Sequence, residues 1–494
     1  MSRKPNKTEP FYKNFGFVKK LHRMISRDAA DVKTDKIHEI CDSLHLSDAQ
    51  LKKCMQLLLE RMEQGLSKEW ESASVKMLPS YVRSVPNGTE KGEFLALDLG
   101  GTNFRVLLIR IHDGKADMQG KIFRVPQQVM TGSGEGLFDH IAECIAKFAQ
   151  ENDITADRKL PLGFTFSFPC AQTGLTSGKL LTWTKGFSAS GVEGEDIVSM
   201  LQKAVRKRND VDIDVVALLN DTVGTLMACA FYENSCEIGV IVGTGTNACY
   251  MEKLDRCSKL EGEVDYKTDG GPDEIIINTE WGAFGSDGCL DFLRTEFDDE
   301  VDRKSINPGK QLFEKMISGM YMGELVRLVL AKLCRENLLF DGVGSDELFT
   351  AGRFPTKFVS EIERDLAEQD RTFATTFNIL EDLGLESLSL ADCTNVAYVC
   401  SLVSTRAAFL CAAAIATLLN RMRKPRLTVG VDGSVYRFHP TFKELLDQKI
   451  DQLIDPGLEY QLMLSEDGSG RGAALVAAVA CRVEAEKAAK QKSA

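Results

Sequence analysis

The stretch Phe94-Leu95-Ala96-Leu97-Asp98-Leu99-Gly100-Gly101-Thr102-Asn103-Phe104-Arg105-Val106-Leu107-Leu108-Ile109 reads as two apolar strands joined by a glycine-rich turn, the pattern of a β-hairpin. The pattern recurs later. Cys236 to Val242 is a strand, Gly243-Thr244-Gly245-Thr246-Asn247 a glycine turn, and Ala248 to Met251 a returning strand. Helical spacing follows the first hairpin at Phe138, Ile141, Ile145 and Phe148. Two glycine-tipped hairpins in β/α settings imply an α/β fold built from a duplicated unit.

Working outward, Leu162 to Phe168 is a strand ending at Pro169, and Ile197, Met200, Leu201 and Ala204 mark a helix. Val215 to Leu219 is a strand that stops at Asn220-Asp221-Thr222-Val223-Gly224, and a helical run follows. Open α/β sheets carry their chemistry at the carboxyl ends of strands, so Asp221 stands where a catalytic base could stand. Asp is equally a good helix cap, and on this segment alone both readings hold. Ser47-Asp48-Ala49-Gln50 is a capping-box pattern opening a helix with Leu51, Met55, Leu58 and Met62 on one face. Pro86-Asn87-Gly88 marks a turn and a boundary, and residues 1 to about 30 read as a tail or loose helix. Ile275 to Ile277 leads into Asn278-Thr279-Glu280-Trp281-Gly282. Asn307-Pro308 reads as the start of a long helix carrying Glu314 two turns in. Leu427 to Val431 ends in Asp432-Gly433-Ser434, and Leu462 to Leu464 ends in Ser465-Glu466-Asp467-Gly468-Ser469-Gly470, before an Ala-rich helix from about Gly472 to Lys490.

Composition narrows the partners. The 494 residues exceed one simple core, so two or more domains are expected. A net charge of -12 argues against nucleic acid or an anionic membrane as the main partner. The 14 cysteines form no CxxC pair and the six histidines are scattered, against zinc or iron-sulfur ligation and in favour of reduced thiols in an intracellular protein. Met1 to Lys20 has no apolar core of a signal peptide. Arg406 interrupts the apolar stretch Val396 to Leu419, which reads as a buried helix too short to span a bilayer.

Four glycine-hydroxyl segments follow strands, at 98–103, 243–247, 432–434 and 467–470. Glycine lets backbone N–H groups approach an anion, and together the four point to a nucleotide polyphosphate. No P-loop and no protein-kinase signature set is present. Gly243 to Ala248 fits G-x-G-x-x-A formally, but a strand follows it where a dinucleotide fingerprint needs a helix. Ser167, Thr184, Lys185, Asn220, Asp221, Glu280 and Glu314 are groups able to hold a polyol through paired hydrogen bonds. Their spacing does not show that they converge.

The ordered set of segments resembles the hexokinases. The resemblance rests on Leu97 to Arg105, Leu162 to Cys170, Trp183 to Phe187, Asn220 to Thr225, Gly243 to Asn247, Asn278 to Gly282, Gln311 to Lys315, Val429 to Ser434 and Asp467 to Gly472, in family order. It implies the duplicated ribonuclease-H-like, actin-like ATPase fold, with two lobes around a cleft. Residues 1–87 would be an N-terminal tail and helices packing on the large lobe, 88–219 the small lobe, 220–466 the large lobe, and 467–494 a C-terminal helix returning to the small lobe. It implies ATP-dependent phosphorylation of the 6-hydroxyl of glucose, mannose or fructose, with Mg²⁺ carried on ATP and no dedicated metal site. Asp221 would be the general base, with Lys185 beside it. Ser167, Phe168, Thr184, Lys185, Asn220, Asn247, Glu280 and Glu314 would hold the sugar. Asp98, Gly100, Gly101, Thr102, Asn103, Arg105, Gly243, Thr244, Asp432, Gly433, Ser434 and Ser469 would surround the phosphates, and Thr356 and Ser360 the adenosine. Glucose 6-phosphate would inhibit.

The first residues, Met1-Ser2-Arg3-Lys4-Pro5-Asn6-Lys7, do not resemble the hydrophobic anchor of mitochondria-bound members, so a cytosolic monomer with no membrane insertion is expected. Two other classes stay open: a hexose-responsive sensor or scaffold with little catalysis, and an actin- or chaperone-like ATPase. The intact Asp221, Lys185 and glycine turns weigh against the first. The second leaves Ser167, Thr184, Lys185, Glu280 and Glu314 unexplained.

Overall fold

The structure, a computed structural model, describes residues 30–493 except 101–102, 113, 156–157, 184–185, 263–270 and 368–371. The expected tail therefore lies outside the described residues. The chain divides into two compact units, one of residues 1–46, 295–297 and 322–406, the other of residues 47–294, 298–321 and 407–494.

The second unit holds both main sheets. Strands β1 (Leu78–Pro79), β2 (Gly92–Leu99), β3 (Asn103–His112), β4 (Lys115–Arg124), β5 (Leu160–Phe166), β6 (Cys170–Gly174), β7 (Ser177–Leu180) and β8 (Ile213–Leu219) precede β9 (Cys236–Val242), β10 (Thr246–Lys253), β11 (Glu274–Asn278), β12 (Arg426–Asp432) and β13 (Glu459–Leu464). The first sheet has the order β4-β3-β2-β5-β8, with β2, β3 and β4 antiparallel and β5 and β8 parallel to β2. The second runs β11-β10-β9-β12-β13 with the same antiparallel-then-parallel pattern, and β1 is added at the β11 edge. The duplication inferred from two hairpins is thus a duplication of two five-strand sheets. β4 was invisible in the sequence because its residues are largely exposed and lack an apolar run.

Alternation along β2 divides the first sheet's two faces. Leu95, Leu97 and Leu99 pack with Phe138, Ile141 and Ile145 of the helix Gly134–Glu151 and with Leu201 of the helix Ile197–Arg208. Ser133 and Asp196 cap those two helices, and Arg206, Lys207 and Arg208 close the second one, complementing its dipole. Phe94 and Ala96 face the other way, toward Ala473 to Val479 of the C-terminal helix Gly468–Ser493 and toward Leu226 of the helix Asp221–Ala230.

The two helices that follow the fifth strand of each sheet exchange partners. The helix Asp221–Ala230 leaves the first sheet and packs on β9, β12 and β10 of the second. The helix Gly468–Ser493 leaves the second sheet and packs on β2, β5, β8 and β3 of the first. The helices also pack on each other, where the backbone at Gly472 approaches Gly224 so closely that a Cβ on Gly472 would lie 2.1 Å from Gly224 O. The 219/220 lobe division implied by the resemblance falls inside this one unit, between β8 and the Asp221 helix.

The first unit is helical. Its helices include Ala30–Cys41 and Thr356–Ala367, with most of Gly319–Arg335. Arg327 is buried there, bonded to Glu324 at 2.6 Å and to Leu348 O at 2.8 Å.

Three expectations need correction. The helix Leu390–Met422 is 33 residues long and runs unbroken through Arg406. By length and composition it could cross a membrane, yet its most apolar window is almost wholly buried in the protein; Arg406 is buried with it and does not interrupt it. Asn307-Pro308 does not start a helix. Gly309 and Gln311 take left-handed backbone (φ 75° and 55°), so the helix begins only at Leu312 and Glu314 lies in its first turn. The final helix starts at Gly468, so the segment read as a glycine turn at 467–470 is mostly its first turn. The capping box at Ser47 is present, heading the helix Asp48–Leu66. All fourteen cysteines stand as free thiols.

Gly472→Ala tests the crossing. In an unconstrained helix interior alanine stabilises by up to about 1 kcal/mol over glycine. Here overpacking against Gly224 costs about 1–3 kcal/mol or more, so the urea midpoint should fall; an unchanged or raised midpoint would show that the backbones are not in contact.

Candidate active site

The segment opened by β8 decides the geometry. Asn220, not Asp221, caps the following helix: its Oδ1 accepts from Thr222 N at 3.0 Å and from Thr222 Oγ1 at 2.8 Å. Asp221 is the first residue of the helix, half-buried, with Thr225 Oγ1 donating to its backbone carbonyl at 3.1 Å. The cap role that the sequence left open for Asp221 belongs to its neighbour. The Asp221 carboxylate sits in the first turn, where the helix dipole favours negative charge.

A polar cluster forms where β10 begins and β11 ends. Asn247 Nδ2 donates to Asn278 Oδ1 at 2.8 Å and to Glu280 Oε1 at 3.1 Å. Asn278 Nδ2 donates to the same Glu280 oxygen at 2.7 Å. Glu280 takes left-handed backbone at φ 54°, an uncommon choice for a non-glycine residue that turns the chain after β11. Glu314 Oε2 accepts from Thr246 N at 2.9 Å, and a side chain on Gly245 would strike that carboxylate. Asn220, Asn278, Glu280, Leu78, Phe166 and Phe168 line one pocket, together with Gln172 and Leu218.

Ser167 follows β5. Its N–H donates to Leu99 O at 3.1 Å, and a Cβ on Gly100 would lie 3.2 Å from its Oγ. Phe168 is buried, its ring packed on Phe166, Trp183 and Phe187 with centroids 4.9–5.1 Å apart. Thr184, Lys185, Gly101 and Thr102 lie outside the described residues.

A charged cluster forms at the other strand ends. Arg105 Nη2 donates to Asp98 Oδ2 at 2.7 Å and to Ser469 Oγ at 3.0 Å, and Nη1 pairs with Asp467. Ser469 Oγ donates to Asp98 Oδ2 at 2.7 Å. Burial disfavours the Arg105 charge, but the Asp98 and Asp467 carboxylates outweigh it and raise its pKa above the usual arginine value. Asp432 Oδ1 accepts from Gly433 N at 2.7 Å and its Oδ2 from Gly468 N at 3.2 Å. Gly433 adopts φ 113° and could carry no Cβ, which would fall 2.3 Å from Val242 O. Ser434 opens the short helix Ser434–Phe438, and both it and Thr244 are exposed. Gly243 N donates to Gly245 O at 2.9 Å, closing the second hairpin tip. Asn103 is exposed at the start of β3. Thr356 and Ser360 belong to the helical unit, where Thr356 Oγ1 accepts from Gly323 N at 2.9 Å.

Three residues of these clusters were missed in the sequence. Thr246 meets Glu314 through a backbone N–H, which no side-chain pattern reveals. Asn278 ends a strand two residues before Glu280, a position legible from the sequence. Asp467 reads as part of a turn, and its pairing with Arg105 depends on distant parts of the chain meeting.

Comparison with known proteins matches two hexokinase family models, at residues 36–231 and 237–479. The chain belongs to the hexokinase family. It is 50% identical over 468 residues to Hexokinase-2 of Homo sapiens, covering 93% of this chain and 49% of that protein, and 48% identical over 459 residues to Hexokinase-1 of Mus musculus, covering 91% and 46%. The chain spans about half the length of the curated relatives it matches. A solved hexokinase from Schistosoma mansoni complexed with glucose shares 44% identity at a TM-score of 0.82, covering 91% of this chain and 100% of that one. A second hexokinase crystal structure shares 30% identity at a TM-score of 0.79. The hexokinase fold, expected from the ordered motifs, is the fold observed.

The cap assignment is testable by stability alone. Asn220→Ala should cost about 1 kcal/mol in chemical denaturation, and Asn220→Ser should restore most of it. Equal losses in both variants would remove Asn220 from the cap.

Proposed function

We propose that this chain transfers the γ-phosphoryl group of ATP to the 6-hydroxyl of a hexose, glucose foremost, giving hexose 6-phosphate and ADP. The observation that carries the reading is the arrangement of two kinds of group in one unit. A carboxylate heads the Asp221 helix, and an amide-carboxylate cluster of Asn247, Asn278 and Glu280 stands at the ends of β10 and β11. Arg105 and Ser469, bonded to each other at 3.0 Å beside the start of the C-terminal helix, are the groups this reading assigns to the phosphates. The glucose bound in the Schistosoma mansoni relative supports the choice of sugar.

In this reading Asn220, Asn247, Glu280, Glu314 and Ser167 hold the hexose hydroxyls. Thr184 and Lys185 complete the set by resemblance. The O6–Pγ bond forms as the bond from Pγ to the ADP oxygen breaks, and the O6 proton passes to the Asp221 carboxylate. Such a transfer is mostly positioning and charge stabilisation. Asp98, Thr244, Gly433, Ser434 and Ser469 face the phosphates, with Mg²⁺ entering on the nucleotide and neutralising part of its charge. Glucose 6-phosphate, sharing hexose and phosphate contacts, inhibits.

Asp221→Ala should lower kcat at least about 100-fold while glucose still binds in calorimetry. Turnover like the wild type would remove Asp221 as the base, and a wild-type protein that binds glucose but consumes no ATP with it would make the chain a sensor. Asn278→Ala frees the Asn247 amide and the Glu280 carboxylate from their shared partner. The KM for hexose should rise about tenfold with a much smaller effect on the KM for ATP; equal effects on both would mean general disruption.

A further inference from the structure

Arg105 is claimed by carboxylates from two separate parts of the chain. Asp98 stands directly across from it in the β2–β3 hairpin, so that pair is built into the strand register. Asp467 comes from the end of the second sheet, one residue ahead of the C-terminal helix, in left-handed backbone at φ 58°. Its carboxylate pairs with Arg105 Nη1, the guanidinium edge not used by Asp98 and Ser469. The neighbouring Gly468 N–H, a natural anion donor at the helix start, is already bonded to Asp432 at 3.2 Å. Of the other cations near this end, Arg437 lies 3.5 Å from Asp432 and donates to Ser465 O at 2.7 Å, and Arg471 donates to Tyr232 Oη at 2.7 Å. Two carboxylates therefore hold the guanidinium where phosphate would bind, and a third, Asp432, holds the neighbouring helix N–H.

A phosphate group and a carboxylate make the same charge-assisted contacts to arginine. One excludes the other at a shared edge, and a carboxylate left nearby repels the phosphate. We propose that Asp467 is a specificity-determining residue of the phosphate subsite, competing with phosphate for Arg105 and selecting against phosphate groups that bring no compensating cation. This rests on the proposed phosphotransfer function. A nucleotide triphosphate arrives with Mg²⁺ offsetting its charge, whereas inorganic phosphate and the hexose 6-phosphate product arrive as bare anions. Asp467 thus loosens the product more than the nucleotide.

The test uses the full chain with Asp467→Asn, which removes the charge, keeps the shape and accepts left-handed backbone; Asp467→Ser is the second variant, used if the first loses its thermal midpoint. Inhibition constants for glucose 6-phosphate and inorganic phosphate are compared with the KM for MgATP at fixed ionic strength. Removing one charge beside a dianion at a half-buried site should tighten both inhibitors about five- to tenfold, and the KM for MgATP by clearly less. Inhibition that is unchanged or weaker in a folded, active variant overturns the proposal, as does equal tightening of all three ligands. A wild-type chain without hexose-dependent ATP consumption would instead refute the functional reading. Calorimetric binding of inorganic phosphate to wild type and variant would still decide the role of Asp467: tighter binding supports it and equal or weaker binding refutes it.

Discussion

The contact on which the site depends is between two helix backbones. The helices Asp221–Ala230 and Gly468–Ser493 meet at Gly224 and Gly472 with no side chain between them, and Gly163 of β5 makes the same allowance for Ala473, whose carbonyl would lie 1.9 Å from an added Cβ. A Cβ on Gly224 would fall 2.9 Å from Gly468 O and 3.1 Å from Ser469 Cα. The start of the C-terminal helix is thus held against the first turn of the Asp221 helix. Thr165 Oγ1 adds a bond to Ser469 O at 2.9 Å, tying that start to the end of β5. Helix ends tend to fray; these two are held by close backbone contact beside the strand ends.

The duplication explains why the polar groups divide as they do. Each sheet ends in a fifth strand and hands its helix to the other sheet. The first sheet's helix opens with Asn220 and Asp221, and the second's follows Asp467 and opens with Gly468 and Ser469. Equivalent positions in the two halves therefore carry different chemistry: a cap and a carboxylate in one, small hydroxyl and glycine residues in the other. The first can meet a hydroxyl proton, and the second can bring backbone N–H groups to an anion.

Much of the fold was legible because its signals were local. The hairpins at 94–109 and 236–251 showed alternation and glycine tips, and the same strands appear in the structure. What failed depended on backbone or on distance. The turn at Asn307 to Gln311 looked like a proline-started helix because left-handed backbone at Gln311 leaves no mark in the residue type. Arg406 looked like a break because charge usually signals surface, yet it is buried in an unbroken helix. In the site, the Asn247–Asn278–Glu280 cluster joins residues from adjacent strands, and their convergence is a property of β10–β11 register rather than of spacing. Membership in the hexokinase family was legible because the order of many short motifs is far more specific than any one of them.

Asn220 and Asp221 gain a sharper division from this geometry. A single residue serving as both cap and base would have to spend its carboxylate on the Thr222 N–H, and a carboxylate already accepting a backbone hydrogen bond is a weaker base. The chain avoids that conflict by giving the cap to an amide. Asn220 Oδ1 takes both the Thr222 N–H and its hydroxyl, and as a neutral group it does so without placing a second charge beside Asp221. Its Nδ2 remains a donor directed by the cap geometry, so the bond that stabilises the helix also orients a group in the pocket wall. Local stability and the pocket wall are both set here by one neutral side chain, and the helix start is capped without using the Asp221 carboxylate.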